Sequence, residues 1–322
     1  MDKPYYSLNA YCKNTLKHKC YKIALNAHMT CPNRDGTLDT RGCIFCSAGG
    51  SGDFAVPTSA DCHKAFSDIH AQLEAGKKLF GDKKIGEHYI AYFQAYTNTY
   101  APLSYLEEIY FAALSTPEVC GISIATRPDC LPDDVLALFK SLRRRFPEKF
   151  IWVELGLQTI HEETAHYIRR GYELPVFEQA VTRLQALDIP VITHVILGLP
   201  GETPDMVRET IRYLNTLPIW GIKLQLLHVL KDTDLATDYL AGKFATLEKD
   251  EYLTLLIHCI ELLRPDIVIH RVTGDGPKNL LIAPTWSLNK RDVLNSLHQR
   301  MRQLNTYQGR LCAAASSQDT SH

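Results

Sequence analysis

Short apolar runs alternate with longer amphipathic stretches along the chain. The short runs are rich in isoleucine, valine, leucine and tyrosine, which is typical of strands covered on both faces. The pattern predicts six strands and a candidate seventh: Tyr21–Asn26, Tyr89–Tyr96, Gly121–Thr126, Ile151–Leu157, Pro190–Leu197, Gly221–His228 and, as the seventh, Asp266–Val272.

The longer stretches carry apolar residues at helical spacing. Several begin with helix-start signals: Thr203 is a capping residue before Pro204, and Asp133 and Asp134 place acidic side chains in a first turn. The predicted helices are Ser59–Phe80, Ser104–Ser115, Asp133–Phe146, Glu162–Arg170, Leu174–Leu187, Pro204–Leu217, Glu248–Leu263 and Asp292–Leu304.

Repeated strand–helix units predict a parallel sheet with right-handed crossovers. We expect an α/β fold, a partial TIM-like barrel of the (βα)6 type with outer helices; a doubly wound sheet is the alternative. In either fold, ligands bind at the carboxyl ends of the strands. We expect the barrel over residues 1–285, and a C-terminal helix with a disordered tail over 286–322.

Composition narrows the class of protein. The chain has 322 residues, is 45% hydrophobic and 22% charged, and has a formal net charge of -1. These values are typical of a globular protein and do not favour nucleic-acid binding by the chain as a whole. Neither a signal peptide nor an apolar run of about 18 residues is present, so we expect a cytoplasmic protein with no membrane partner.

Three of the ten cysteines are grouped, whereas the other seven are scattered singly. Cys31, Cys43 and Cys46 have the spacing Cys-x11-Cys-x2-Cys in a glycine-containing loop directly after the first predicted strand. A disulfide framework is not expected in a cytosolic chain, which leaves a metal centre.

Three thiolates can bind three irons of a [4Fe–4S] cluster and leave the fourth iron open to a chelating substrate, whereas fully ligated clusters use four cysteines. The amino and carboxylate groups of S-adenosylmethionine (SAM) are such a chelator. Its reductive cleavage gives a 5′-deoxyadenosyl radical that abstracts hydrogen from a substrate. The alternative is a closed zinc site, with Cys20 or His28 as the fourth ligand.

Five segments together resemble the radical SAM superfamily, and within it the short bacterial YhcC-type relatives of the elongator complex catalytic subunit. The resemblance covers roughly residues 15–285. It rests on the Cys-Pro-Asn-Arg-Asp-Gly loop at Cys31 and on Ala91–Thr97, Thr126–Cys130, Glu154–Thr159 and Leu197–Glu202.

The resemblance implies several contacts to SAM. Phe45, just before the last grouped cysteine, matches an aromatic residue near the adenine. Gln94 and Ala95 end the second strand, where such enzymes bind the methionine amino group through the backbone. Gly198 permits close approach of the backbone to the adenine.

Further contacts are implied for the ribose and the carboxylate. Gln158 matches a ribose-contacting glutamine, and Glu154 shares its strand face if the strand is regular. An inward polar face suggests a ligand cavity; the alternative is polar residues satisfied within the core. Arg170, or the adjacent Arg169, matches the arginine that binds the methionine carboxylate. His194 stands where related enzymes often have an acidic ribose contact, which is a departure from the pattern.

Three residues are candidates for catalysis. Cys130, at a strand end, either relays a hydrogen atom or is inert. Tyr96 is a candidate substrate contact. Lys223, with Gln225 and His228, faces the substrate, or else Lys223 pairs with a carboxylate.

The substrate is suggested by analogy alone. The elongator relative implies a tRNA, modified at a wobble-uridine side chain, and a reductant such as flavodoxin or ferredoxin. Two basic clusters favour RNA binding, namely Lys13, Lys17, Lys19 and Lys22 near the cysteine loop and Arg143–Arg145. The alternatives are a radical enzyme acting on a small metabolite or a peptide, and a zinc-stabilised binding module without catalysis.

Overall fold

The central element is a sheet of seven parallel strands that curls into a half-barrel. The structure is a computed structural model that describes residues 3–50, 52, 65–80, 88–274 and 276–312. In spatial order, which is also chain order, the strands are β1 (Tyr21–Leu25), β2 (Tyr89–Phe93), β3 (Val119–Thr126), β4 (Phe150–Gln158), β5 (Val191–Leu197), β6 (Gly221–Leu226) and β8 (Val268–Arg271).

The unbroken strand order decides between the two predicted architectures. A doubly wound sheet reverses its order at a switch point, and this sheet does not. The partial TIM-like barrel is therefore confirmed, with seven strands instead of six because the candidate seventh joins β6. A separate antiparallel pair, β7 (Val229–Leu230) and β9 (Leu281–Ala283), was not predicted.

Helices connect the strands. The described helices are α1 (Leu8–Tyr11), α2 (Ala65–Leu79), α3 (Leu103–Ser115), α4 (Asp133–Arg145), α5 (Glu162–Tyr167), α6 (Leu174–Gln185), α7 (Pro204–Leu214), α8 (Asp234–Leu240), α9 (Lys249–Leu262) and α10 (Lys290–Gln303). A π-helical turn at Cys12–Leu16 follows α1. None of them is long and apolar enough to cross a membrane.

Several helices differ from their predictions: α7 ends at Leu214 instead of Leu217, and α1 and α8 were not predicted. The predicted start of α2, at residues 59–64, lies outside the described residues. Helix α5 ends at Tyr167 instead of Arg170, because Arg169 has a φ of 54° and turns the backbone out of the helix. The predicted disordered tail falls largely on 313–322, outside the described residues, and the division at 285 stays a prediction.

The inner face of the half-barrel is layered. Ile90, Trp152 and Ile192 form an apolar layer near the amino ends of the strands, against which Trp220 packs. Two residues further along β4, the fully buried Glu154 begins a charged layer. The space above it, at the carboxyl ends of the strands, is a cavity.

Candidate functional site

The three grouped cysteines line this cavity. Cys31, Cys43 and Cys46 lie in the loop after β1 and form no disulfide bond. Burial raises the pKa of the Cys43 thiol to about 12, so its thiolate form requires nearby positive charge, such as that of metal ions. The cavity is also lined by residues from the carboxyl ends of other strands, among them Gln94, Thr126, Gln158, His194, Lys223, Gln225 and Arg271.

Two polar residues of the loop fix its shape. The Asn33 amide donates to the Arg169 carbonyl at 2.8 Å and contacts the Cys43 sulfur at 3.6 Å. The Arg34 guanidinium donates to the Cys46 and Ser47 carbonyls at 2.8 and 2.7 Å. The loop is therefore preorganised by its own side chains and by its contact with the chain after α5.

Tyr96 holds the far end of the loop. Its backbone N–H donates to the Gly50 carbonyl at 2.8 Å, and its hydroxyl donates to the Ala48 carbonyl. A Cβ at residue 50 would lie 2.3 Å from the Tyr96 ring, so this approach requires glycine. Tyr96 lines the cavity, as predicted for a substrate contact, but its hydroxyl is bound to the loop.

Glu154 is the centre of a buried hydrogen-bond network that spans the half-barrel. One carboxylate oxygen accepts from Lys22 at 2.7 Å and from Ser123 at 2.6 Å. The other contacts His194 at 2.7 Å and accepts from Lys223. Lysine pairing with a carboxylate, one of the two options for Lys223, is thus what the structure shows.

The network sets unusual protonation states. Burial raises the pKa of Glu154, but Lys22 and Lys223 outweigh it and hold that pKa well below its usual range. Burial, with the charge of Lys223, lowers the pKa of His194 to about 4, so this imidazole is neutral at pH 7. Burial lowers the pKa of Lys223 to about 7 against the opposing effect of Glu154, so Lys223 can exchange a proton near neutral pH.

The cavity continues into two neighbouring cavities, and Gln94 and Arg271 line all three. The second runs towards His228 and Gly276. We call the third the lateral opening; its lining includes Lys22, Phe80, Arg271, Lys278 and Lys290.

Comparison with known families identifies the chain. The radical SAM superfamily model matches residues 40–214, and the model of the radical SAM C-terminal domain matches residues 219–303. The chain belongs to the radical SAM superfamily. It is therefore an enzyme of the class that uses SAM and a [4Fe–4S] cluster, and such enzymes need an electron donor.

Two relatives match most of this radical SAM chain. The YtqA protein of Bacillus subtilis is 43% identical over 309 residues, which cover 96% of this chain and 93% of that protein. The YhcC protein of Escherichia coli is 34% identical over 272 residues, which cover 84% of each. The archaeal Elp3 structure from Methanocaldococcus infernus, 15% identical, superimposes with a TM-score of 0.65 over 90% of this chain and 64% of that one, which shows a shared fold.

The residues present fit the superfamily's cofactors. The Oε1 atom of Gln158 is buried without a hydrogen-bond partner in the described chain and lies at the cavity. Gln158 lies where the β4–β5 pairing is irregular and has a φ of 64°. A Cβ at Gly156 would lie 2.7 Å from the Gln158 amide nitrogen, so the glycine leaves room for this side chain. An unsatisfied acceptor beside three thiols suits a ligand that carries hydroxyl donors.

Arg170 lines the cavity, but its guanidinium is already bonded within the protein. It donates to the Tyr172, Leu157 and Thr159 carbonyls, and its Nη2 contacts both oxygens of Glu162. Its contact to the methionine carboxylate stays a prediction. Arg169, the alternative, pairs with Asp234 at 2.6 Å.

Cys130 does not line the cysteine cavity. It lines a separate cavity with Pro32, Thr99 and Asp129, and burial raises the pKa of its thiol to about 12. A hydrogen relay from this position is therefore not supported, and the inert alternative fits better.

The remaining SAM candidates are divided. Phe45 and Gln94 line the cavity, and Ala95 is fully buried directly after Gln94. Gly198 follows β5 with a φ of 87° and is not among the residues that line the cavity. Their contacts to SAM stay predictions.

Two expectations about the surroundings of the loop are wrong. Cys20 lies at the amino end of β1, opposite the loop, so it does not complete a zinc site with the grouped cysteines. Among the described residues, no group of three or more ligand atoms within 4.8 Å of one another includes His28 or a grouped cysteine. Lys13, Lys17 and Lys19 precede β1, and Arg143–Arg145 end α4, so both clusters lie towards the amino edge of the sheet. Lys22 alone of these points into the half-barrel.

Sequence reasoning missed several residues of the cavity, including Tyr92, Arg127, Tyr172 and Arg271. Tyr92 had a usable signal, because it lies two residues before Gln94 on the same strand face. Arg271, at the end of β8, required the seventh strand to be paired before it could be placed.

Proposed function

We propose that Cys31, Cys43 and Cys46 bind the [4Fe–4S] cluster and that the enzyme modifies a tRNA, at a wobble-uridine side chain. When bound, the cluster and SAM supply the 5′-deoxyadenosyl radical that abstracts hydrogen from the substrate. The reductant is a small electron carrier such as flavodoxin or ferredoxin.

The chain's own residues orient the ligand and control protons. Gln158 Oε1 is positioned to accept a hydrogen bond from a ribose hydroxyl. The Lys223 ammonium donates to the Tyr92 hydroxyl at 2.9 Å at the floor of the cavity. With a pKa near 7, Lys223 is the group best suited to give or take a proton beside the substrate.

The lining of the lateral opening is the observation that supports a tRNA substrate. Four cationic side chains, Lys22, Arg271, Lys278 and Lys290, line it, and no acidic residue is among the described residues that do. Clustered cations neutralise the phosphates of a nucleic-acid backbone. This opening shares Tyr92, Gln94 and Arg271 with the cysteine cavity. A polyanion at the opening would therefore place a neighbouring nucleotide at the reactive centre.

Distant relatives support the same class of substrate. The tRNA uridine(34) acetyltransferase of Methanocaldococcus infernus is 22% identical over 166 residues, which cover half of this chain and 30% of that protein. Elongator complex protein 3 of Schizosaccharomyces pombe is 23% identical over 344 residues.

The chemistry is tested on anaerobically purified protein. We expect about four irons and four sulfides per chain, and 5′-deoxyadenosine from SAM after reduction. Cys43→Ala should abolish that product, and unchanged product would refute the ligand assignment.

The tRNA substrate is tested in two ways. Nucleosides from a deletion strain should lack one modified wobble uridine, and identical nucleoside profiles would reject the tRNA proposal. In vitro, Lys278→Ala/Lys290→Ala should weaken tRNA binding and reduce the slope of log K against log salt by about 1 to 2. Lys13→Ala/Lys17→Ala removes the same charge from the segment before β1, at the amino edge of the sheet, and should leave the slope of log K against log salt unchanged. Equal effects of the two double variants would reject the lateral opening as the tRNA site.

A further inference from the structure

A second group of metal-ligand side chains lies at the amino edge of the sheet, away from the cysteine cavity. The ligand atoms of His18, Cys20 and Cys120 all lie within 4.8 Å of one another. His88 stacks on His18 with ring centroids 3.6 Å apart, and its Nδ1 lies 3.7 Å from the Cys120 sulfur. None of these residues belongs to the site described above.

The fold brings these residues together from distant parts of the chain. Cys20 directly precedes β1, His88 directly precedes β2, and Cys120 is the second residue of β3. Tyr21 pairs with Tyr89, and Tyr89 pairs with Val119, so three adjacent strands begin level with one another. Adjacent strands lie about 4.8 Å apart, which lets side chains at their first residues converge on one ion.

A local irregularity distinguishes Cys120. Tyr89 pairs with Val119 but Ile90 pairs with Gly121, so Cys120 is an extra residue in the β2–β3 ladder. Such bulges redirect a side chain and are unusual between parallel strands. Lys17 has a φ of 67°, and this left-handed turn lies directly before His18.

The distances match a tetrahedral ion bound by sulfur and nitrogen. Zinc–sulfur and zinc–nitrogen bonds of about 2.3 and 2.05 Å at tetrahedral angles separate the two ligand atoms by about 3.5 Å. The Cys20 sulfur lies 3.4 Å from His18 Nδ1, and the Cys120 sulfur lies 3.7 Å from His88 Nδ1. All four side chains are partly buried, so the site is sheltered but within reach of solvent.

We propose that His18, Cys20 and Cys120 bind a structural zinc ion and that His88 completes its coordination after its ring shifts away from His18. The two histidines and two cysteines form a donor set that suits zinc. The ion would fasten the N-terminal turn to the first three strands. That edge of an open half-barrel lacks the strands that close a complete barrel, and the amino face of such folds serves stability.

The test uses the full chain, purified anaerobically, with iron and zinc measured by mass spectrometry. We expect one zinc in addition to the cluster iron. Cys20→Ser/Cys120→Ser should lose the zinc and keep the iron, and Cys31→Ala/Cys43→Ala/Cys46→Ala should lose the iron and keep the zinc. Cys312→Ser, which replaces a cysteine beside Asn215, is the matched control and should keep both metals.

The triple-alanine variant also permits a test that does not depend on the folding of the serine variants. Titration with Co²⁺ should give one equivalent with the intense visible bands of tetrahedral thiolate coordination, and a chelator should lower the Tm. His88→Ala should weaken binding by at least the roughly 10- to 100-fold that loss of an outer-shell partner costs, because His88 is a ligand, and His88→Cys should restore it. Absence of zinc or cobalt binding in the triple-alanine variant, zinc retained in Cys20→Ser/Cys120→Ser, or a Cys20–Cys120 disulfide in the anaerobic protein would each overturn the proposal.

Discussion

Replacement of Glu154 by glutamine is the most informative single change, because this carboxylate is fully buried and contacts four donors. Glu154→Gln keeps the shape but removes the negative charge. One carboxamide oxygen can still accept from Lys22 and Ser123. The amide NH2 would then face Lys223, which is itself a donor. Lys223 is left as a buried charge without its anion.

The expected loss follows from that unpaired charge. Removing one partner of a buried ion pair costs about 3–5 kcal/mol in the free energy of unfolding. Lys223 can escape part of this cost by losing its proton, because its pKa is already lowered to about 7. Without Glu154 that pKa falls further, so the loss should shrink as pH rises from the variant's lower Lys223 pKa towards about 7 and stay constant above it.

Urea unfolding of the variant with alanine at the three grouped cysteines measures this loss without a bound cofactor, which would complicate two-state analysis. Glu163→Gln, on the exposed face of α5, is the control and should change the free energy by about 0.5 kcal/mol or less. Adding Lys223→Met to Glu154→Gln should recover much of the loss, because both partners are then gone. Two results would refute this account of the network. One is a loss in Glu154→Gln no larger than that in Glu163→Gln. The other is a loss in Glu154→Gln/Lys223→Met equal to the sum of the losses in the two single variants.

Three further predictions concern single residues. Gln158→Ala should raise the Kd for SAM about tenfold in anaerobic equilibrium dialysis, as expected for loss of about one hydrogen bond, and an unchanged Kd would exclude contact. Cys130→Ala should leave the rate of 5′-deoxyadenosine formation within about twofold, since the thiol lies in another cavity; loss of the product would restore the relay hypothesis. Because the folded-state pKa of His194 is lowered to about 4 while the unfolded chain binds a proton near 6.5, the free energy of unfolding should decrease as pH falls between these values. His194→Gln should flatten that decrease in urea unfolding, and the same pH dependence in both proteins would contradict it.

The order and type of the strands could be predicted because their apolar runs are long and buried on both faces. The seventh strand was less certain, since β8 covers four residues and ends at the charged Arg271. The antiparallel β7–β9 pair was missed because each of its strands has only two or three residues, too few to show a period.

The site was predictable where chain order determines position. The three grouped cysteines follow a strand, so their place at its carboxyl end follows from the fold class. Arg170 shows the opposite case. Its partner Glu162 lies eight residues away in the sequence, and no local sequence pattern predicts that the Arg170 guanidinium contacts both Glu162 oxygens. The lysine cluster was misplaced because closeness in sequence was taken for closeness in space: Lys13, Lys17 and Lys19 precede β1, whereas the cysteine loop follows it.

The charge of the cavity bears on the proposed tRNA substrate, because the chain as a whole is nearly neutral. The whole chain has a net charge of -1, which on its own disfavours RNA binding. Among the described residues that line the cavity and the lateral opening, however, Lys22, Arg271 and the partly protonated Lys223 outnumber the carboxylate of Glu154, and His194 is neutral. The floor of the cavity is therefore net positive in a poorly hydrated space, where charge acts more strongly than at the surface. That local field would favour a phosphate of the proposed tRNA substrate entering from the lateral opening, so the charge of the cavity matters more for this proposal than the charge of the chain.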